Sequence, residues 1–128
     1  MKTPLILLVT NDGQLENLVA DALLQTAGVS HLVHDPGDAL ETACTVQDLD
    51  LAIIDFEHSP HRLALLNAIN SCREDLPLIA IICDNDKHLE ALAYANGATA
   101  CFAKPVLTMH LAEAVRELCR RKREPAFA

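Results

Sequence analysis

The chain has 128 residues, 51% of them hydrophobic yet with only three Phe and one Tyr, and a formal net charge of −8. That length suits one domain whose core must be built mostly from Leu, Ile, Val and Ala. The charge argues against nucleic-acid binding, and no apolar run reaches the roughly 18 residues that span a bilayer.

Met1-Lys2-Thr3-Pro4 leads into Leu5–Val9, which is too short and wrongly flanked for a secretory signal; the expected location is the cytosol. Leu5–Val9 reads instead as a buried strand. Asp12 offers an N-cap to a helix with Leu15, Leu18, Val19 and Ala22 on one face, and Gly28 offers its end. Val29–Val33 is a second strand. Asp35-Pro36 joins an N-cap to proline at the first helical position, opening a helix with Ala39, Leu40 and Ala43 inward. The third strand, Leu51 to Ile54, ends at Asp55. Ser59-Pro60 opens a third helix with Leu65, Leu66 and Ile69 toward the sheet. Pro77 introduces a fourth strand, Leu78–Ile82. Asp84 or Asn85 caps a fourth helix containing Leu89, Leu92 and Ala93, which Gly97 closes. Thr99–Ala103 is a fifth strand, and Thr108 caps a last helix with Leu111, Ala114, Val115, Leu118 and Cys119 along one side.

Five βα units without linker, repeat or low-complexity segment imply an α/β domain, with a parallel sheet covered by helices on both faces and right-handed crossovers. The flavodoxin-like order 2-1-3-4-5 is the natural arrangement, with its topological switch between the first and third strands. Sheets of this kind bind at the carboxyl ends of their strands. Thr10, Asn11, Asp12, Asp55, Ile82, Cys83 and Lys104 are therefore expected along one rim, with the Asp55 carboxylate facing the Lys104 ammonium.

Asp55 at a strand end, Gly97-Ala98 before the fifth strand and Lys104-Pro105 after it resemble the receiver domain of bacterial two-component response regulators. The resemblance runs from about the first strand to the last helix. It places a receiver-like domain at 1–124 and a C-terminal tail at 125–128. It implies a cytoplasmic, non-enzymatic module of phosphorelay signalling. Asp55 would be the phosphoacceptor, served by a histidine kinase or phosphotransfer protein, and Lys104 would pair with the phosphoryl group. It also implies a cis Lys104-Pro105 bond. In such a transfer, catalysis is positioning plus charge neutralisation by a metal and a lysine. A homodimer through the fourth helix, fifth strand and fifth helix is a further expectation, with no direct contact to nucleic acid or membrane.

The chain departs from the family pattern where ion and switch residues are expected. Thr10-Asn11 replaces an acidic pair. What remains for Mg²⁺ is Asp55, Asn11, Asp12 and Glu57, a weak or absent site for an ion that wants octahedral oxygen ligands. Ile82 aligns with a Thr or Ser that touches the phosphoryl group, and a one-residue slip would put Cys83 there. Cys101 aligns with an aromatic switch residue. His58-Ser59-Pro60-His61 stands in place of a Met-Pro loop with its glycine. Two readings follow. One is a phosphoacceptor with impaired or unusual metal-dependent chemistry. The other is a phosphorylation-independent pseudo-receiver acting through protein interaction or dimerisation.

Other motifs carry less. The five cysteines, Cys44, Cys72, Cys83, Cys101 and Cys119, are odd in number and widely spaced, and are expected as reduced, buried thiols. Among six histidines, His31 and His34 should not converge, and His58 with His61 lacks a third ligand. No P-loop, dinucleotide fingerprint or nucleophile elbow occurs, and a flavin would lack aromatic partners. Arg116, Arg120, Arg121, Lys122 and Arg123 gather near the end of the chain; they suit a solvated helix C-terminus, with a basic connector to another domain or partner as the alternative.

Overall fold

A computed structural model describes residues 3–57 and 61–123, with the backbone alone for 122 and 123. The five short apolar runs are strands and the amphipathic stretches between them are helices. In chain order they are β1 (Leu5–Val9), α1 (Gly13–Leu24), β2 (Val29–Val33), α2 (Pro36–Thr45), β3 (Leu51–Asp55), α3 (Arg62–Cys72), β4 (Leu78–Ile82), α4 (Lys87–Ala95), β5 (Ala100–Ala103) and α5 (Thr108–Arg123). All pairings are parallel and the strand order is β2-β1-β3-β4-β5. The expected flavodoxin-like arrangement is therefore present.

Alternation along each strand divides the core in two. Ile6, Leu8, Leu51, Ile53, Ile79 and Ile81 pack against α1 and α5, while Leu7, Val9, Ala52, Ile54, Ala80 and Ile82 pack against α2, α3 and α4. The central strands β3 and β4 are buried throughout, which is why they lack polar alternation. At the margin, β2 is exposed at four of its five positions.

The helix ends refine the reading. Asp12 and Asp35 are N-caps as expected, but Asp86, rather than Asp84 or Asn85, caps α4 through the N–H groups of His88 and Leu89. Thr108 is the first residue of α5 instead of its cap, and β5 begins at Ala100 instead of Thr99. Gly28 does not supply the left-handed residue after α1. Ala27 does, at φ 55°, and the Gly28 N–H closes the turn on the Leu23 carbonyl at 2.8 Å. Ser59-Pro60 lies outside the described residues, and α3 starts at Arg62 after His61, which makes no side-chain cap. The proposed tail at 125–128 is likewise outside them, as is residue 124.

The cysteines need a larger correction. Cys44 and Cys72 are both exposed and are joined in a disulfide between α2 and α3, with Cα atoms 6.2 Å apart. The topology causes this. The crossover after β2 lays α2 beside α3 on one face of the sheet, and both cysteines fall in the last turn of their helices. Only Cys119 is buried as expected; Cys83 and Cys101 are half-buried.

Candidate functional site

The chain leaves β1, β3, β4 and β5 along a single edge, and each exit is fixed by backbone bonding. The Thr10 N–H donates to Val33 O at 3.2 Å, extending the β1–β2 ladder by one residue. Asp55 ends β3. Phe56, fully buried, pins the chain there with an N–H bond to Ile81 O at 2.9 Å, after which Glu57 turns left-handed at φ 49°. The Lys104 N–H donates to Ile82 O at 2.8 Å, and the Lys104-Pro105 bond is cis. Lys104 stands two strands away from Asp55, a gap its long side chain spans.

Asp55 is fully buried and both its carboxylate oxygens are engaged. Oδ2 accepts from the Thr10 hydroxyl at 2.6 Å and from Lys104 Nζ at 2.9 Å; Oδ1 accepts from the Glu57 N–H at 3.2 Å. A carboxylate tolerates burial when a cation and hydrogen-bond donors replace its water, as here. Lys104 also donates to Asp12 Oδ2 at 2.9 Å. The other oxygen of Asp12 caps α1 through the N–H groups of Gln14 at 2.9 Å and Leu15 at 3.4 Å. The Thr10 hydroxyl in turn accepts from the Asp12 N–H at 2.9 Å, so one hydroxyl orients both Asp55 and the start of α1.

These contacts set the charge states. The hydrogen bond from Lys104 holds the Asp12 carboxyl below the ordinary carboxylate range, against the opposing pull of partial burial. Burial by itself would lower the Lys104 ammonium; its bonds to Asp12 and Asp55 outweigh that, and it titrates above the usual lysine value.

A second ion pair backs the first. Glu57 accepts from the Asn11 N–H, from Asn11 Nδ2 at 3.4 Å and from Arg62 Nη2 at 3.2 Å. Arg62 is buried, and its Nη1 has no acceptor among the described residues. Glu57 holds its unfavourable backbone angle because Asn11 and Arg62 fix its carboxylate from two sides.

The expected rim residues divide clearly. Thr10, Asn11, Asp12, Asp55, Glu57, Cys83 and Lys104 do converge; Asn11, Asp12, Glu57, Cys83, Asp84 and Lys104 line a cavity of about 470 Å³. Ile82 does not join them: it is 1% exposed and points into the α2–α3–α4 core, so Cys83 is the β4 residue on the cleft wall. Cys101 packs on that same core, and burial, with Glu90 nearby, pushes its thiol up to about 11. His31 and His34 are exposed and take no part, except that Asn11 Nδ2 reaches the His34 carbonyl at 3.5 Å. His58 lies outside the described residues, and His61 is exposed before α3.

The residues considered for Mg²⁺ do not fit an ion in this arrangement. Asp12 and Asp55 share the Lys104 ammonium, and Glu57 is committed to Asn11 and Arg62. Among the described residues no group of three or more His, Cys, Asp or Glu is placed to hold a metal.

Arg62 is the site residue that sequence reasoning missed. Its signal was present: Arg62 precedes Leu65, Leu66 and Ile69 at helical spacing, in phase with the inward face of α3. A cation on a buried stripe needs a counter-charge. Topology puts Thr10 on the rim, and the comparison with the family pattern puts it where an acid is expected; neither shows its donation to Asp55.

The same architecture recurs in solved structures. A CheY-like response regulator receiver domain protein from Methanospirillum hungatei superimposes with a TM-score of 0.83 at 19% identity, over 94% of this chain and 97% of that one. A response regulator from Thermotoga maritima gives 0.82 at 20% identity, over 93% and 99%. The signal receiver domain of a putative LuxO repressor protein from Vibrio parahaemolyticus gives 0.81 at 20% identity, over 95% and 94%. No protein-family model matches the sequence, and no curated protein matches it significantly. The chain has the fold of the response regulator receiver domain, and its many structural neighbours of that kind span most of its length. No helix among the described residues is long and apolar enough to cross a membrane.

Proposed function

We propose that the chain is a receiver module of two-component signalling, rather than an enzyme, whose phosphoacceptor is Asp55 and whose chemistry depends little on Mg²⁺. The observation that carries this reading is the Asp55 carboxylate at a strand end with Lys104 Nζ at 2.9 Å. In the proposed step an Asp55 oxygen attacks the phosphorus of a phosphohistidine on a histidine kinase or phosphotransfer protein. The P–N bond breaks, and the imidazole leaves with its electron pair. Lys104 balances the charge that gathers on the phosphoryl oxygens, while the Thr10 hydroxyl fixes the orientation of the carboxylate. Asn11, Asp12 and Glu57 shape the entrance. Output would pass through α4, β5 and α5, where Tyr94, Leu107 and Met109 are exposed and offer a face for a partner or a second copy. The cytoplasm is the compartment where a kinase would meet it.

A second reading has its own support. Asp55 is fully buried and already satisfied by three donors, and the ion-binding carboxylates are held by the protein's own cations. That is the arrangement of a pseudo-receiver, which would act through its surface without phosphorylation.

Incubation with acetyl phosphate, with and without Mg²⁺, followed by intact-mass measurement separates the two. The expected result is one added phosphoryl mass under both conditions, absent in Asp55→Ala. No added mass in either condition would establish the pseudo-receiver instead.

A further inference from the structure

We infer that Cys44 and Cys72 form a reversible thiol–disulfide site, which exchanges with low-molecular-weight disulfides such as glutathione disulfide while the domain stays folded. The pair is far from the Asp55 cleft. Helices of this fold run antiparallel to the strands, so the last turns of α2 and α3 lie at the amino edge of the sheet, opposite the rim.

Three observations carry the inference. Access comes first. Both cysteines are exposed, whereas Cys83 and Cys101 are half-buried and Cys119 is buried. A small thiol attacking the bond, or a small disulfide offered to the reduced pair, therefore reaches these sulfurs before the others. Selectivity is reinforced at Cys101, whose thiol burial raises to about 11, so that near neutrality it holds little thiolate.

Preorganisation is second. Arg73, next to Cys72, donates Nη1 to Ala43 O at 2.9 Å and to Val46 O at 3.0 Å, on either side of the α2 terminus that bears Cys44. Its Nε is held by Asp75 at 3.2 Å. Ala43 and Ile69, each one turn or less from a cysteine, are fully buried in one shared core cluster. When the sulfur–sulfur bond opens, these contacts keep the two thiols as neighbours. The second thiol then acts at high effective concentration.

Electrostatics is third. Both cysteines sit where helix carbonyls end, a place that disfavours a thiolate. On the α2 side the Arg73 guanidinium takes the Ala43 carbonyl and the Val46 and Gln47 carbonyls just beyond the helix, and so sets positive charge at that end.

The proposed exchange balances. One cysteine thiolate attacks a sulfur of the oxidant disulfide and expels one small thiol, leaving a mixed disulfide. The neighbouring thiolate attacks that protein sulfur and expels the second small thiol. Two protein thiols thus become one disulfide, two electrons pass to the oxidant, and the two protons are carried off by the released thiols. Reduction is the reverse sequence.

The test uses the full chain, equilibrated across graded mixtures of reduced and oxidised glutathione, acid-quenched, alkylated with a maleimide and mapped by peptide mass. The expected result is joint protection of Cys44 and Cys72 in one two-electron transition, reversed by excess reduced glutathione. The reduced chain should keep its circular dichroism and cooperative urea transition. In Cys44→Ser, Cys72 is expected to stop at the mixed disulfide with glutathione. Loss of the folded spectrum on reduction would overturn the inference by making the bond a folding staple. So would a folded, reduced pair that oxidised glutathione leaves alkylatable, or oxidation of Cys83 or Cys101 ahead of it.

Discussion

Lys104 serves two carboxylates at once, and this sharing governs how the rim answers to substitution and to pH. Replacing it by Met strands Asp55 in the interior with only the Thr10 hydroxyl and the Glu57 N–H for company. Stranding a buried partner commonly costs about 3–5 kcal/mol, and the two surviving bonds reduce this to about 2–4 kcal/mol. Urea denaturation of Lys104→Met checks the value, and Asp55→Asn added to it should recover part of the loss, since no charge is then left unpaired. The pH dependence follows from the two shifted groups. Asp12 titrates below its unfolded value of about 3.9, so its contribution is present above that pH and is lost as pH falls through the lower folded value. Lys104 titrates above its unfolded value of about 10.4, so its contribution is complete below that pH and is lost as pH rises through the folded value. The stability difference between the wild type and Lys104→Met should hold through neutral pH, shrink above about pH 10 as Lys104 loses its proton, and shrink at acid pH as the carboxylates it serves take up protons. The Asp55–Lys104 contact was legible in the sequence because strand ends in a parallel sheet share an edge, whatever the side chains do. The double use of Asp12, as helix cap and as lysine partner, was not. Both uses were plausible for one carboxylate, and only the distances show that each oxygen takes one.

Helix ends show where local sequence signals succeed and where they mislead. α1 and α4 finish in the same way: a left-handed residue, then an N–H returning five residues to a carbonyl, Gly28 to Leu23 in one and Ala98 to Ala93 at 3.0 Å in the other. In α4 the left-handed residue is Gly97 at φ 114°; in α1 it is Ala27 at φ 55°. Ala27→Gly should therefore stabilise the domain by about 1 kcal/mol, the usual penalty for a side chain in that region. Gly97→Ala should cost more, about 2–3 kcal/mol, since a Cβ there would come within 2.5 Å of Asn70 as well as strain the backbone. Thermal melts of the two variants should move in opposite directions. The mistaken reading of Gly28 has a physical origin. What marks that glycine is close quarters and not backbone freedom: a Cβ would lie 2.9 Å from Leu23 Cδ2, so the leucine would have to shift. Sequence alone does not separate those two demands on a glycine. Aspartates near a helix start raise the same difficulty, since Asp84 and Asp86 have identical chemistry and differ only in which meets the first turn.

At the scale of the molecule, the alternation of five apolar runs with amphipathic stretches was enough to give layers and strand direction. It could not show which cysteines meet. That required knowing that α2 and α3 pack side by side, a relation between segments rather than a property of either. The disulfide closes a sequence separation of 28 residues, for which chain entropy gives about 3–4 kcal/mol. Dithiothreitol should accordingly lower the melting temperature by about 10 °C. Scanning calorimetry checks this, with the Cys44→Ser/Cys72→Ser double variant showing no response to the reductant.

The bare margin of the sheet has a practical outcome. Four of the five residues of β2 meet solvent, Val29 and Leu32 among them, with exposed Leu24 on the adjoining helix. None of the five residues of β2 is a proline, lysine, arginine, aspartate or glutamate that would blunt its outward amide and carbonyl groups as a template for another strand. In concentrated samples, molecules should adhere along this seam before their cores loosen, so that crowding, more than heat, limits how long the protein stays dispersed.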